Sequence, residues 1–120
     1  ELSRQNVLMI KVEKVGKKLL AEMQFSGQRK REFKLVCQLD SAASCNVLAY
    51  HDYQNLGKPH LERSGTTLTM YDGSVRRSMG SCLLTVRDKE GLLKRLYFEV
   101  LDTKQHSLIS LDSCLNLRLL

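Results

Sequence analysis

Apolar and polar positions alternate along this chain in short stretches, and the alternation favours strands almost throughout. In 32–39, Phe33, Leu35, Cys37 and Leu39 fall on one face by a period of two. In 93–101, Leu96, Phe98 and Val100 alternate in the same way. Further strands are expected at 7–12, 19–25, 66–71, 74–78, 80–86 and 107–111. Turn signals separate them: Gly16-Lys17-Lys18, the polar run 26–31, and Asp88-Lys89-Glu90-Gly91. Asp72-Gly73 is the signal for a two-residue hairpin turn. The stretch 47–56 reads as a short helix or an irregular descent, ended near Gly57-Lys58-Pro59. The stretch 112–117 reads as one or two helical turns. The sum is an all-β chain of roughly seven or eight short strands, closed or partly closed into a barrel, with one short C-terminal helix.

Composition narrows the picture. The 120 residues suffice for one domain and not comfortably for two. No apolar run approaches the roughly 18 residues of a membrane span, and nothing at the N-terminus reads as a signal peptide. The net charge is +6, with Lys11, Lys14, Lys17, Lys18 and the Arg29-Lys30-Arg31 cluster carrying much of the excess. A basic nucleic-acid-binding module is one reading of that charge. No aromatic residues interleave with the cluster, so a solvated hairpin tip and edge is the reading adopted.

The cysteines Cys37, Cys45, Cys82 and Cys114 form no C-x-x-C pair, and His51, His60 and His106 are scattered in loop-like contexts. No metal or other cofactor is expected. Cys37 and Cys82 sit in strand-like runs and read as buried small hydrophobes. The chain reads as a reduced, intracellular, cytoplasmic protein.

The chemistry gathers at Asp40-Ser41-Ala42-Ala43-Ser44. A strand delivers an aspartate into a tight turn of small residues, which presents a carboxylate and lets backbone approach it. Two other aspartates share part of the wording. Asp102-Thr103 is followed by Lys104 where a small residue is needed. Asp112 opens a helix, where dipole and capping favour an acid. No Gly-x-Ser-x-Gly, phosphate-binding or dinucleotide-binding pattern occurs.

Three features stand in a fixed order: Leu39-Asp40-Ser41-Ala42-Ala43-Ser44-Cys45-Asn46-Val47-Leu48, then Leu68-Thr69-Met70-Tyr71-Asp72-Gly73, then the apolar step Leu108-Ile109-Ser110 before a helix. This order resembles the retropepsins, the single-lobe aspartic proteases, and is most similar to those of gypsy-type retrotransposons. The resemblance spans roughly 19–117, within one domain over 1–120; residues 1–18 are an extension or an extra strand.

The resemblance implies a closed acid-protease barrel and a homodimeric aspartic endopeptidase. Asp40 is then the catalytic carboxylate, with Ser41, Ala42 and Ala43 completing the active-site loop. Met70, Tyr71, Asp72 and Gly73 form a flap over an extended peptide or polyprotein substrate. Leu108, Ile109 and Ser110 support the loop. One chain supplies one such aspartate, so a twin must come from a second subunit. Ala42 and Ser110 stand where the family has glycine. That difference motivates an alternative: a degenerate or domesticated retropepsin fold that dimerises or binds peptide without cleaving.

Overall fold

The computed structural model describes residues 11–27, 31–70 and 73–120. Among these, the chain forms nine strands and two short helices. In order they are β1 (Lys11–Val15), β2 (Lys18–Ser26), β3 (Glu32–Asp40), β4 (Val47–Ala49), α1 (Tyr50–Asn55), β5 (Thr67–Thr69), β6 (Val75–Arg77), β7 (Gly80–Arg87), β8 (Leu93–Leu101), β9 (Ser107–Ser110) and α2 (Leu111–Asn116).

Seven strands make one sheet in the order β1-β2-β3-β9-β4-β8-β7. The last strand also meets β2, where Phe25 pairs with Val86 and Ser26 with Thr85. β5 and β6 form a separate hairpin. Neighbours in sequence pair antiparallel, as β2 with β3 and β7 with β8. Two pairings are parallel, β3 with β9 and β4 with β8. Both join strands far apart in the chain, since a parallel pair cannot be closed by a tight turn.

The alternation read from the sequence is the core. Ala21, Met23 and Phe25 of β2, Leu35, Cys37 and Leu39 of β3, and Cys82, Leu84 and Val86 of β7 point inward with Leu96, Phe98 and Val100 of β8. Phe25 and Phe98 meet edge to face, their centroids 5.7 Å apart. Alternation fails at the end of β3, where Gln38 and Asp40 are buried as well as Cys37 and Leu39. There β9 has joined the sheet, and all four of its own residues are buried. Strands paired in parallel at the centre of a sheet are covered on both faces.

Several expectations are corrected. The first strand, expected to end at Val12, continues to Val15, because it pairs with β2 up to the tight turn at Gly16; residues 7–10 of the expected range lie outside the described set. Gly16 adopts φ +62, which a glycine takes at little cost. There are two helices rather than one, since 47–56 divides into β4 and α1. Gly57 at φ +87 ends α1, its N–H donating to Gln54 C=O and that of Lys58 to Tyr53 C=O.

The β5–β6 connection is longer than a two-residue Asp72-Gly73 turn. Thr69 pairs with Val75, the Met70 N–H donates to Ser74 C=O, and the Gly73 N–H returns to Met70 C=O. Gly73, at φ +83, follows that turn instead of sitting at its centre. The β7–β8 turn falls where expected. The Asp88 carboxylate, 1% exposed, accepts from the N–H groups of Glu90 and Leu92 through one oxygen.

Phe98 ties β8 to β2 across the main core. Phe98→Ala is expected to lower unfolding stability by about 3–5 kcal/mol, read from urea denaturation, because the space it leaves sits between strands that cannot collapse together.

Candidate active site

Asp40 is the last residue of β3, paired in register with Ser110 at the end of β9. The chain turns immediately. The Ala43 N–H donates to Asp40 C=O at 3.1 Å, and the Ala42 N–H donates to Asp40 Oδ1 at 3.0 Å. The side-chain bond is a turn in which the carboxylate replaces a backbone acceptor. It also orients the carboxylate. Ser41 and Ala42 are exposed and Ala43 is half-buried, while Asp40 itself is 9% exposed. The methyl of Ala42 leaves its N–H free to make this bond.

A cleft of about 420 Å³ lies between this loop and the β5–β6 hairpin. Ala42 and Ala43 line it beside Asp40, Val47 and Leu108 from the sheet, and Leu68 and Met70 from the hairpin. Among the described residues, Asp40 is the only acidic side chain on its wall. Leu68 and Met70 also pack against a small apolar cluster of Val47, Leu101 and Leu108, separate from the main core. The hairpin is further held by Arg76, whose Nη1 donates to Asp102 C=O at 2.7 Å, and by the Ser78 N–H on Thr66 C=O. Tyr71 and Asp72 lie outside the described residues; Gly73 is exposed.

The apolar step divides its work. Leu108 faces the cleft, Ile109 enters the main core, and Ser110 caps α2, its Oγ accepting from the Ser113 N–H at 3.4 Å. The cap is therefore Ser110 and not Asp112, which sits exposed in the first turn of α2 where the helix dipole favours an acid. Serine at this place has a local reason, since glycine offers no side-chain acceptor. Asp102 and Asp112 are both exposed and neither lines the cleft. His51, His60 and His106 are exposed; His51 Nε2 lies 3.6 Å from Asp52 Oδ1.

Two polar devices behind the site had no signal in the sequence. Asn46, of a residue type common in turns, is buried and bonded to both β8 and Ser110. Ser107 Oγ donates to Asp52 Oδ2 at 2.6 Å and accepts from the Ala49 N–H at 2.9 Å, joining β9 to the β4–α1 junction. A residue type that is common in turns and also serves in buried networks cannot be sorted without the fold.

The thiols follow their surroundings. Burial, and then the charge of Asp52, pushes Cys37 up; burial and then Glu99 push Cys82 up to about 11. Burial, and then the charge of Asp40, raises Cys114. Cys45 is half-buried on the cleft wall and is raised by burial and then by Glu99, against a lowering hydrogen bond with Ser44.

The central parallel ladder, the aspartate at its end and the hairpin across the cleft together define a retropepsin-like fold. The chain matches the protease of EIAV, solved in complex with the inhibitor HBY-793, with a TM-score of 0.67 and 19% sequence identity, over 88% of this chain and 93% of that one. No protein-family model matches the chain, and no curated protein matches it by sequence.

Thiol alkylation followed by mass spectrometry checks the buried surroundings. Cys45 is expected to react first on the folded chain, with Cys37, Cys82 and Cys114 modified only after unfolding. Because every shift is upward, the thiolate is scarce at neutral pH. The Cys45 rate should therefore rise from pH 7 through pH 9 and beyond, later than for a free cysteine near about 8.5.

Proposed function

We propose that this chain is an aspartic endopeptidase that works as a homodimer on an extended peptide, in a polyprotein of the gypsy-type retrotransposon kind. The observation that carries this reading is Asp40 itself. Among the described residues it is the single acidic side chain on the wall of the cleft, its carboxylate oriented by the Ala42 N–H. The retropepsin-like fold supports the same assignment.

One carboxylate cannot complete the chemistry. Hydrolysis of an amide needs a base to take a proton from water and an acid to protonate the carbonyl oxygen. Two carboxyls at one site cannot both ionise cheaply, so a shared pair holds one proton and supplies both functions. The pair titrates as a unit. In the dimer, Asp40 of each subunit meets its twin at the two-fold axis, and the Ser41 hydroxyl bonds to the partner's loop. The ionised carboxylate takes a proton from water as the oxygen attacks the scissile carbonyl carbon. The protonated carboxyl gives its proton to the carbonyl oxygen. The resulting gem-diol then expels the amine, which leaves protonated.

The β5–β6 hairpin, with Met70, Tyr71, Asp72 and Gly73 at its tip, acts as the flap. It opens for substrate and excludes water once closed. Leu68 and Met70 already rest on the apolar cluster beside Asp40, which favours a closed position over the groove.

A second reading is carried by Ala42. Its methyl lines the cleft where a substrate backbone must approach Asp40. On that reading the fold dimerises or binds peptide without cleaving it.

Cleavage of an extended-peptide library separates the two. The native chain is expected to cleave in acid, with specific activity falling on dilution as dimers dissociate. Asp40→Asn is expected to lose about a thousandfold or more of kcat. Activity that survives this substitution sinks the aspartic mechanism.

Ala42→Gly keeps the N–H on Asp40 and removes the methyl, so kcat/KM for peptides with bulky residues at the scissile bond is expected to rise. A well-formed dimer that cleaves nothing, in both the native and Ala42→Gly forms, moves the chain to the non-cleaving reading.

A further inference from the structure

We infer that Asn46 is a positioning residue for the Asp40 carboxylate, an inference that rests on reading Asp40 as catalytic. Asn46 stands at the far end of the loop that Asp40 opens, one residue before β4. Its side chain is 6% exposed, and both ends of its amide are bonded. Oδ1 accepts from the Ser110 N–H at 2.9 Å, and Nδ2 donates to Tyr97 C=O at 3.0 Å. Its own C=O accepts from the Glu99 N–H.

Ser110 is the same residue that pairs with Asp40 across the β3–β9 ladder. One position of β9 therefore holds both ends of the loop, Asp40 by strand register and Asn46 by a side-chain amide. Between them, Ser41, Ala42 and Ser44 are exposed, and Ala43 and Cys45 are half-buried. In that stretch Cys45 packs against the cluster of Val47, Leu101 and Leu108, while Ser41, Ala42 and Ser44 stay open to solvent. The same stretch carries the Ala42 N–H that orients Asp40 Oδ1. The aim of the carboxylate depends on how firmly the loop is closed, and small misplacements of reacting groups are costly.

The residue type suits the task. β4 lies between β9 and β8 in the sheet, and Asn46 immediately precedes its first residue, Val47. At that position the side chain meets a buried N–H on one neighbour and a part-buried C=O on the other. A side-chain amide has an acceptor and a donor at opposite corners and no charge. Alanine removes both bonds and leaves the buried Ser110 N–H without this acceptor.

The test uses Asn46→Ala and Asn46→Asp in the full chain, measured above the dimer dissociation constant. Asn46→Ala is expected to lower kcat by about a hundredfold, while KM changes by less than about threefold and dimer strength is unchanged. Asn46→Asp carries a pH signature. Protonated, the introduced carboxyl accepts from Ser110 and donates to Tyr97, as the amide does. Ionised, it keeps the first bond and sets its charge against the Tyr97 oxygen. Asp40 and Glu99, on strands near this position, further oppose ionisation. Its kcat should approach native in acid and fall, relative to native, as pH rises through the introduced group's pKa, expected above about 3.9. A flat ratio to native across pH overturns the inference, and this variant decides the matter if Asn46→Ala does not fold.

Amide hydrogen exchange supplies a readout independent of turnover. Asn46→Ala is expected to speed exchange at Ser110 and Ala42 together, about tenfold or more, leaving Leu84 in the β7–β8 ladder unchanged. Faster exchange at Ser110 with Ala42 and kcat unaffected overturns the positioning role and leaves the protease reading standing. A native chain that cleaves nothing sinks the protease reading, and coupled exchange at Ser110 and Ala42 then still establishes Asn46 as the residue that sets the Asp40 carboxylate.

Discussion

The parallel ladder between β3 and β9 is the interaction on which the rest of this molecule depends. Cys37, Gln38, Leu39 and Asp40 pair in turn with Ser107, Leu108, Ile109 and Ser110. This brings a short segment near the C-terminus into the middle of the sheet, between β3 and β4. Without it, β3 would be an edge strand and Asp40 an exposed residue at a loop tip. With it, Asp40 is buried to 9% exposure, and its neighbour Ser110 is the start of a helix. The ladder unites residues far apart in the chain, so its loop-closure entropy must be overcome before its contacts form.

Placing strands at the centre of a sheet creates a demand for polar partners. Backbone groups there have no access to water, and each must be satisfied within the protein. The structure meets the demand with small polar side chains around β9. Ser107 bridges the Asp52 carboxylate and the Ala49 N–H. Ser110 caps α2, and Asn46 completes the sheet between β9 and β8. The apolar residues between them, Leu108 and Ile109, face the cleft and the main core respectively. Support of the loop and shape of the cleft are thus properties of one four-residue strand.

Much of this was legible in the sequence, for a definite reason. Alternation in β2, β3, β7 and β8 follows from one face being buried, which is a local consequence of strand geometry. The turn at 88–91 and the helix after Ser110 announce themselves by residues whose preferences are also local. Asp40 stood out because an aspartate among small residues at the end of an alternating run is an uncommon combination. The length of the β5–β6 turn was less legible, since Asp-Gly fits more than one hairpin geometry and the register of Thr69 with Val75 selects among them. The end of β1 was less legible, since Lys14 looks like part of a solvated run, although an edge strand tolerates lysine well.

The sequence by itself determined most of the strands, though not β4, together with the inward faces of the antiparallel pairs and the aspartate at the end of β3. These rest on backbone periodicity and on residues within a few positions of one another. Only the tertiary structure decided that Asp40 shares a register with Ser110, and that Asn46, at the other end of the same loop, bonds to Ser110 across 64 residues of chain. It alone also placed Asp40, among the described acidic residues, on the wall of the cleft beside the β5–β6 hairpin. Parallel pairing and buried side-chain amides leave no local pattern, because their partners are chosen by the path of the whole chain and by the need to satisfy polar groups taken out of water.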